Sequence, residues 1–442
     1  MQYKTFNQGI HPKDNKQHSN TKPIEIAPLT SKVIIPLQQH IGVPCEPLVK
    51  KNDIVVIGQK IGEAKGFVSA PVHASISGKV TAIDKFFHPL GNEVFAIFIE
   101  SDGRDEWSRD VDLNSKIDPL EIDIAEMKVL IKEAGIVGMG GASFPTHVKL
   151  SPPKEKTIDS VIINGVECEP YLTADHRLML EKPADIITGL KIIMKILGVA
   201  KGYIGIEANK IDAIKTLENT ILDKKNIKIV GLKTKYPQGS EKQLIKAILN
   251  REVPPPPGLP MDVGVVVQNV GTAVAIVEAL KYKKPLIERV VTVTGSAIKE
   301  SKNLRVRIGT PFSFLIEFCG GSINPIGKLI MGGPMMGLAQ YTGEVPVIKG
   351  TSGIVVLAKD EVKKRLPKSC IRCGKCVSVC PQKILPNLIS IYSEKKYFEE
   401  AERYGALECI ECGACTYRCP ANRPIVHLVK HAKAELLARR KK

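Results

Sequence analysis

The sequence predicts a multidomain chain in which small β domains flank a layered α/β domain and a cysteine-rich helical domain closes the C-terminal end. Three observations predict it. Short apolar runs separated by turn residues fill the first hundred positions, as in small all-β domains. From about residue 120 the pattern alternates between strand-length apolar runs and helix-period stretches, the signature of a sheet covered by helices. Eight of the eleven cysteines then crowd into two copies of one spacing near the end.

In order along the chain, residues 1–30 form an extended arm rich in turn formers. Residues 31–105 form a barrel-sandwich-like β domain, opened by Val33-Ile34-Ile35 and continued by the buried-strand run Ile54-Val55-Val56-Ile57. Ala70 to Val80 alternates small and apolar residues before a turn, as in barrels that carry lipoyl or biotinyl groups. No modifiable lysine stands at a hairpin tip, so the domain is expected to act as a scaffold.

Residues 115–260 are assigned to a Rossmann-like α/β domain. Ile122, Ile124, Met127, Leu130 and Ile131 mark one helix face. Strands follow at Ser160–Asn164, Gly202–Ile206 and Ile227–Leu232, with helices at Ile186–Leu197 and Ile211–Leu222. Ser240 and Gln243 have capping-box spacing for a helix through Leu249. Pro254 to Pro257 is a stiff break, and a strand at Val263–Val267 and a helix from Val270 follow it. Residues 261–350 form a small mixed β domain, residues 358–425 the cysteine domain, and 426–442 a basic amphipathic helix.

The formal charge is +17, so partners are expected to be acidic proteins or anionic surfaces. Aromatic residues make up only 5%, which leaves few stacking platforms and argues against nucleic acid. The longest apolar run, Val263–Leu280, is interrupted by Gln268, Asn269 and Thr272, so no membrane span is expected. The polar start, Met1–Lys22, has no signal-peptide core, and reduced thiols suggest the cytoplasmic side.

The cysteine runs are Cys370-x2-Cys373-x2-Cys376-x3-Cys380-Pro381 and Cys409-x2-Cys412-x2-Cys415-x3-Cys419-Pro420. This is the spacing by which bacterial ferredoxins hold [4Fe–4S] clusters, the fourth cysteine of each run ligating the other cluster. Two clusters follow: Cys370, Cys373, Cys376 and Cys419 for one, Cys380, Cys409, Cys412 and Cys415 for the other. Zinc would give no reason for the trailing Cys-Pro. Cys168 lacks spaced partners and reads as a wall thiol, and Cys45 and Cys319 read as buried small residues. His73 and His147 have no partners at ligand spacing.

A second motif is the loop from Gly135 to Lys149, in which close glycines let backbone N–H groups approach a phosphate or flavin ring. It follows a helix rather than a strand, so spacing alone leaves a nucleotide site and a structural turn both open.

Gly138, Gly140, Gly141, Ala142, Phe144, Pro145, Thr146 and Lys149, with Asn164, Glu167, Glu169 and Pro170, resemble the flavin-binding NADH dehydrogenase subunit of respiratory complex I. Met139, Ser143 and His147 depart from that family's loop. Asn269 and Thr272 resemble its segment near the flavin phosphate. Almost the whole chain is similar to the RnfC family of Rnf (Rsx) electron transport complexes, through Gly9-Ile10-His11-Pro12, Pro36–Gly42, Pro71–Ala74 and Glu167–Arg177. The resemblance implies a β-grasp fold for the third domain, FMN, two [4Fe–4S] clusters and NAD(H). It also implies a peripheral position on the cytoplasmic face of the bacterial membrane, beside integral subunits and a ferredoxin-like subunit. The role implied is electron transfer between NAD(H) and ferredoxin, coupled to ion transport. On this reading Lys149 would offset negative charge on reduced flavin, and Glu167 and Glu169 would order the nicotinamide or its ribose. Two alternatives stay open: a soluble diaphorase subunit of a hydrogenase or formate dehydrogenase, and a non-enzymatic iron–sulfur relay.

Overall fold

The computed structural model describes residues 2–222, 224–362 and 366–440. The first β domain pairs two antiparallel sheets. One runs Lys32–Pro36, Glu93–Ser101, Gly78–Phe87, Ile54–Val55, and the other Glu46–Pro47, Lys60–Glu63, Val72–His73. Alternate residues turn inward, so Val33, Ile35, Ile97 and Ile99 meet Ile61, Val72 and Ile76 in a dry core. Gly78 is fixed by approach: a Cβ there would stand 1.9 Å from the Glu100 carbonyl oxygen.

The α/β domain has a four-stranded, all-parallel sheet. Its order across the sheet is Ile227–Leu232, Lys201–Glu207, Ser160–Gly165, Val265–Asn269. All four strands are near-continuous apolar runs because helices cover the sheet. Helix Ile124–Glu133 forms, with Asp123 accepting a hydrogen bond from the Ala125 N–H at 2.8 Å, so Ile122 of the predicted face lies before it. Helix Pro183–Leu197 ends at Gly198, whose φ of +67° closes the helix in the left-handed region. The helix at Glu241–Leu249 forms, but Ser240 makes no side-chain cap bond; Gln243 instead donates to the Pro381 carbonyl at 3.4 Å.

The border drawn at 260 cuts through this domain. Val265–Asn269 pairs in register with Ser160–Asn164, and the helix Val270–Tyr282 packs on the sheet, so the unit runs to Tyr282. The proline break changes direction without changing domain.

The third domain is a mixed six-stranded sheet ordered Ile24–Ile26, Lys302–Arg307, Glu288–Thr294, Gly353–Ala358, Ile326–Met331, Leu338–Gln340, with helix Phe312–Phe318 in its core. Two predicted borders fail here. The arm is not merely extended, since Ile24–Ile26 is the edge strand beside Lys302–Arg307. Position 350 is not the end, since Gly353–Ala358 lies inside the sheet.

The last domain is small and helical. The tail does not stand apart from it: helix Ile425–Arg440 buries Ile425, Val429, Ala432 and Leu436, packing chiefly on helices Pro386–Glu394 and Phe398–Arg403. Its cations pair with Glu411, Glu399 and Glu402 of the same domain. Lys441 and Lys442 lie outside the described residues, as do residues 363–365. Among the described residues no helix is long and apolar enough to cross a membrane.

Candidate functional site

In an open parallel sheet, ligands bind beyond the carboxyl ends of the strands where the winding direction reverses. Here the chain winds from Ser160–Gly165 outward on one side, then returns to lay Val265–Asn269 on the other. The reversal falls between those two strands, and Asn164 and Asn269 face each other in register at their ends. The glycine loop folds over this point. It is closed at its neck by the Gly138 N–H donating to the Phe144 carbonyl at 2.9 Å. The Met139 N–H donates to Thr272 Oγ1 at 3.0 Å, and a Cβ on Gly140 would stand 3.0 Å from Asn269.

Asn269 is the cap of helix Val270–Tyr282: its side chain accepts from the Gly271 N–H at 2.8 Å and donates to Asp175 at 2.7 Å. A helix N-terminus with approaching glycines is a place for an anionic group. The glycines supply the test of fit. Gly138 and Gly141 have no left-handed φ, and a Cβ on either would meet no protein atom closer than 3.6 Å. The protein itself therefore gives no reason for glycine at these two positions. A flat ligand lying on the backbone does, and Gly140, Gly141 and Ala142 are open to receive it.

The other predicted residues divide. Asn164 donates to the Gly239 carbonyl at 2.8 Å and accepts from the Val166 N–H. Lys149 is engaged, donating to Glu241 and to the Val267 carbonyl at 3.2 Å each. Glu167 accepts from the N–H groups of Asp175 and His176, capping helix Ala174–Glu181, which periodicity missed. Burial, then the charge of Glu167, holds the Asp175 carboxyl above the usual carboxylate range.

Glu169 turns away from the loop. It accepts from the Met335 and Met336 N–H groups at 3.0 and 2.8 Å, and burial pushes it up to about 6. Cys168 accepts from the Gly239 N–H at 3.2 Å and lines the contact with the cysteine domain, a wall thiol as expected. His147 is buried against Phe67.

Four residues escaped sequence reasoning because buried cations and bridging side chains look like any others in a sequence. Arg289, fully buried, donates to the carbonyls of Met139 and Lys349, fixing the loop from behind. Lys349 donates to the carbonyls of Pro71 and Gly135 at 2.7 Å each, joining three domains at the root of the loop. Lys16 of the arm donates to the carbonyls of Glu167, Glu169 and Leu172. Tyr236 donates to the Cys412 carbonyl at 2.7 Å, bridging the α/β domain to the cysteines.

The eight cysteines line two hollows, Cys370, Cys373, Cys376 and Cys419 around one and Cys380, Cys409, Cys412 and Cys415 around the other. Each set draws three residues from one run and the fourth from the other. Among the described residues no three ligating side chains converge on one single-ion position. A cubane asks for a wider cage, because each thiolate binds a different iron.

Fold and site together define an iron–sulfur flavoprotein: residues 131–278 match the Nuo51 FMN-binding domain family and residues 363–420 a 4Fe–4S dicluster domain. Residues 4–104 match the RnfC barrel sandwich hybrid domain and 290–339 the SLBB domain. The chain is 51% identical over 98% of its length to the C component of the proton-translocating ferredoxin:NAD(+) oxidoreductase complex of Clostridium ljungdahlii, covering 94% of that protein. It is 48% identical over its whole length to the Na(+)-translocating counterpart of Acetobacterium woodii, covering 99% of it. The chain belongs to this RnfC family of ion-translocating ferredoxin:NAD(+) oxidoreductase components. A solved NAD+-reducing [NiFe]-hydrogenase in the H2-reduced state aligns with TM-score 0.49 and 17% identity, over 73% of this chain and 62% of that one.

Proposed function

We propose that this chain carries electrons between NAD(H), at an FMN site under the glycine loop, and a partner of a membrane complex, through two [4Fe–4S] clusters in series. The supporting observation is the seam between domains. The cage of Cys380, Cys409, Cys412 and Cys415 abuts the α/β domain through Tyr236 and Cys168, with Ile10 of the arm and Met335 of the third domain beside them. The cage of Cys370, Cys373, Cys376 and Cys419 does not take part in that seam, and Cys373 is exposed. The first is therefore the proximal cage and the second the distal one.

FMN, when bound, supplies the exchange between a two-electron hydride donor and one-electron carriers. Gly138, Gly140, Gly141 and Ala142 offer backbone to it, Asn269 and Thr272 hold the loop over the helix N-terminus, and Asn164 and Lys149 border the space. Glu167 orders the acid segment by capping its helix. Glu169 ties that segment to Met335 and Met336, and so to the proximal cage, rather than reaching a nicotinamide. Phe144 closes the neck. The chain exchanges electrons with integral membrane subunits and a ferredoxin-like subunit, and sits peripherally on the cytoplasmic face.

The test is cofactor analysis of anaerobically prepared protein: about eight irons per chain and one flavin released by acid, with NADH-dependent dye reduction. Protein with eight irons but no flavin would establish the non-enzymatic relay instead. Protein lacking the irons would end the proposal.

A further inference from the structure

The two chain segments around the distal cage carry charge of one sign. From Leu366 to Cys380 the chain carries Lys368, Arg372 and Lys375 and no carboxylate; from Cys412 to Pro424 it carries Arg418 and Arg423 and none. Lys368, Arg372, Lys375 and Arg418 are exposed, whereas Arg423 is buried and paired with Glu394. The Lys368 N–H donates to the Ala421 carbonyl, which draws the two segments together over the cage. Among these cations stand apolar side chains that the fold leaves uncovered: Leu366 is 83% exposed, Ile371 67% and Tyr417 54%. Ile371 and Arg372 themselves line the cage, and Cys373 lies at its open edge.

We propose that this face docks an acidic electron-transfer protein, with Lys368, Arg372, Lys375 and Arg418 meeting its carboxylates and Leu366, Ile371 and Tyr417 forming the dry centre. The inference rests on the iron–sulfur reading of the cage. A polar rim around an apolar centre is the anatomy of a specific interface, and one-sign charge steers a partner of the opposite sign. A second copy of this chain, at +17, would bring like charge to this cationic face. An anionic bilayer could meet the cations, but it offers no acceptor for the electron that the exposed cage edge presents. In the docked state one electron leaves the reduced distal cluster and enters the partner's oxidised centre, or returns; no bond forms or breaks and no proton moves.

The experiment uses the anaerobic holoprotein and, as probe, a small acidic bacterial ferredoxin with two [4Fe–4S] clusters. Calorimetry should show binding that weakens about tenfold or more between about 50 and 300 mM salt. The double variant Lys368→Glu/Arg418→Glu should weaken it at least as much at low salt, with iron content and both EPR signals retained. Leu366→Ser/Ile371→Ser is the second variant, expected to weaken binding without changing its salt dependence. Binding indifferent to both variants would overturn the inference. So would binding of the chain to phosphatidylglycerol vesicles, lost on charge reversal, with no ferredoxin binding. Protein lacking the distal EPR signal would instead refute the iron–sulfur reading.

Discussion

The two cysteine cages share one spacing, yet they sit in opposite environments. The proximal cage has Cys380, Cys412 and Cys415 buried, flanking acids at Glu408 and Glu411, and Tyr236 of the α/β domain packed against Cys412. The distal cage has Cys373 at the surface and only cations in its two binding segments. Burial pushes the Cys412 thiol up to about 12, a measure of how dry its surroundings are. The difference teaches direction: identical ligand chemistry becomes an inner and an outer station because one cage packs beside the flavin domain and the other presents Cys373 at the surface. Burial, nearby charge and hydrogen bonding are also what set cluster potential, so the two stations should not be isopotential.

The sharpest way to break this comparison is to remove ligands from each run in turn. Cys380→Ser should remove the same EPR signal as Cys412→Ser, and about four of eight irons, although Cys380 sits in the first run. If Cys380→Ser instead removed the signal lost in Cys373→Ser, the cages would be wrongly drawn.

Next in size is the flavin end. Gly141→Ala meets no neighbour in the protein, so melting should be unchanged while FMN affinity falls about tenfold, near 1.4 kcal/mol, measured by flavin retention on dilution. A fall in melting temperature with unchanged affinity would contradict the cradle.

Tyr236→Phe deletes the bond to the Cys412 carbonyl and leaves a buried acceptor unpaired, at a cost of about 1–3 kcal/mol. Iron should leave the proximal cage faster under chelator, with the distal cage unaffected. Smallest is Lys433→Met, which loses a partly exposed pair with Glu411 and a bond to the Cys409 carbonyl. The pair is worth about 0.2–1 kcal/mol, and thermal unfolding should register no more than a small shift.

How much of this was legible depended on range along the chain. The cysteine runs were, because one tight loop sets three ligands within seven residues. The parallel strands at Ser160–Gly165, Lys201–Glu207 and Ile227–Leu232 were, because strands largely covered by helices leave near-continuous apolar runs. Edges drawn by long-range pairing were not: Ile24–Ile26 finds Lys302–Arg307, and Gly353–Ala358 inserts between two earlier strands. In the site, Asn164, Asn269, Thr272 and the glycines come together as the sequence suggests. The partners of Glu169 were not legible, because its carboxylate accepts from the N–H groups of Met335 and Met336 in a distant segment. Lys16, Arg289 and Lys349 were invisible because a sequence does not say which of 63 cationic side chains are buried.

The central claim is the order of the stations, and rapid-freeze EPR after mixing with NADH tests it most directly. In Cys373→Ser, NADH should still reduce the remaining proximal cluster at the wild-type rate. In Cys412→Ser, the remaining distal cluster should stay oxidised although NADH-dependent dye reduction at the flavin persists. Prompt reduction of the distal cluster in Cys412→Ser, with none of the proximal cluster in Cys373→Ser, would contradict the account.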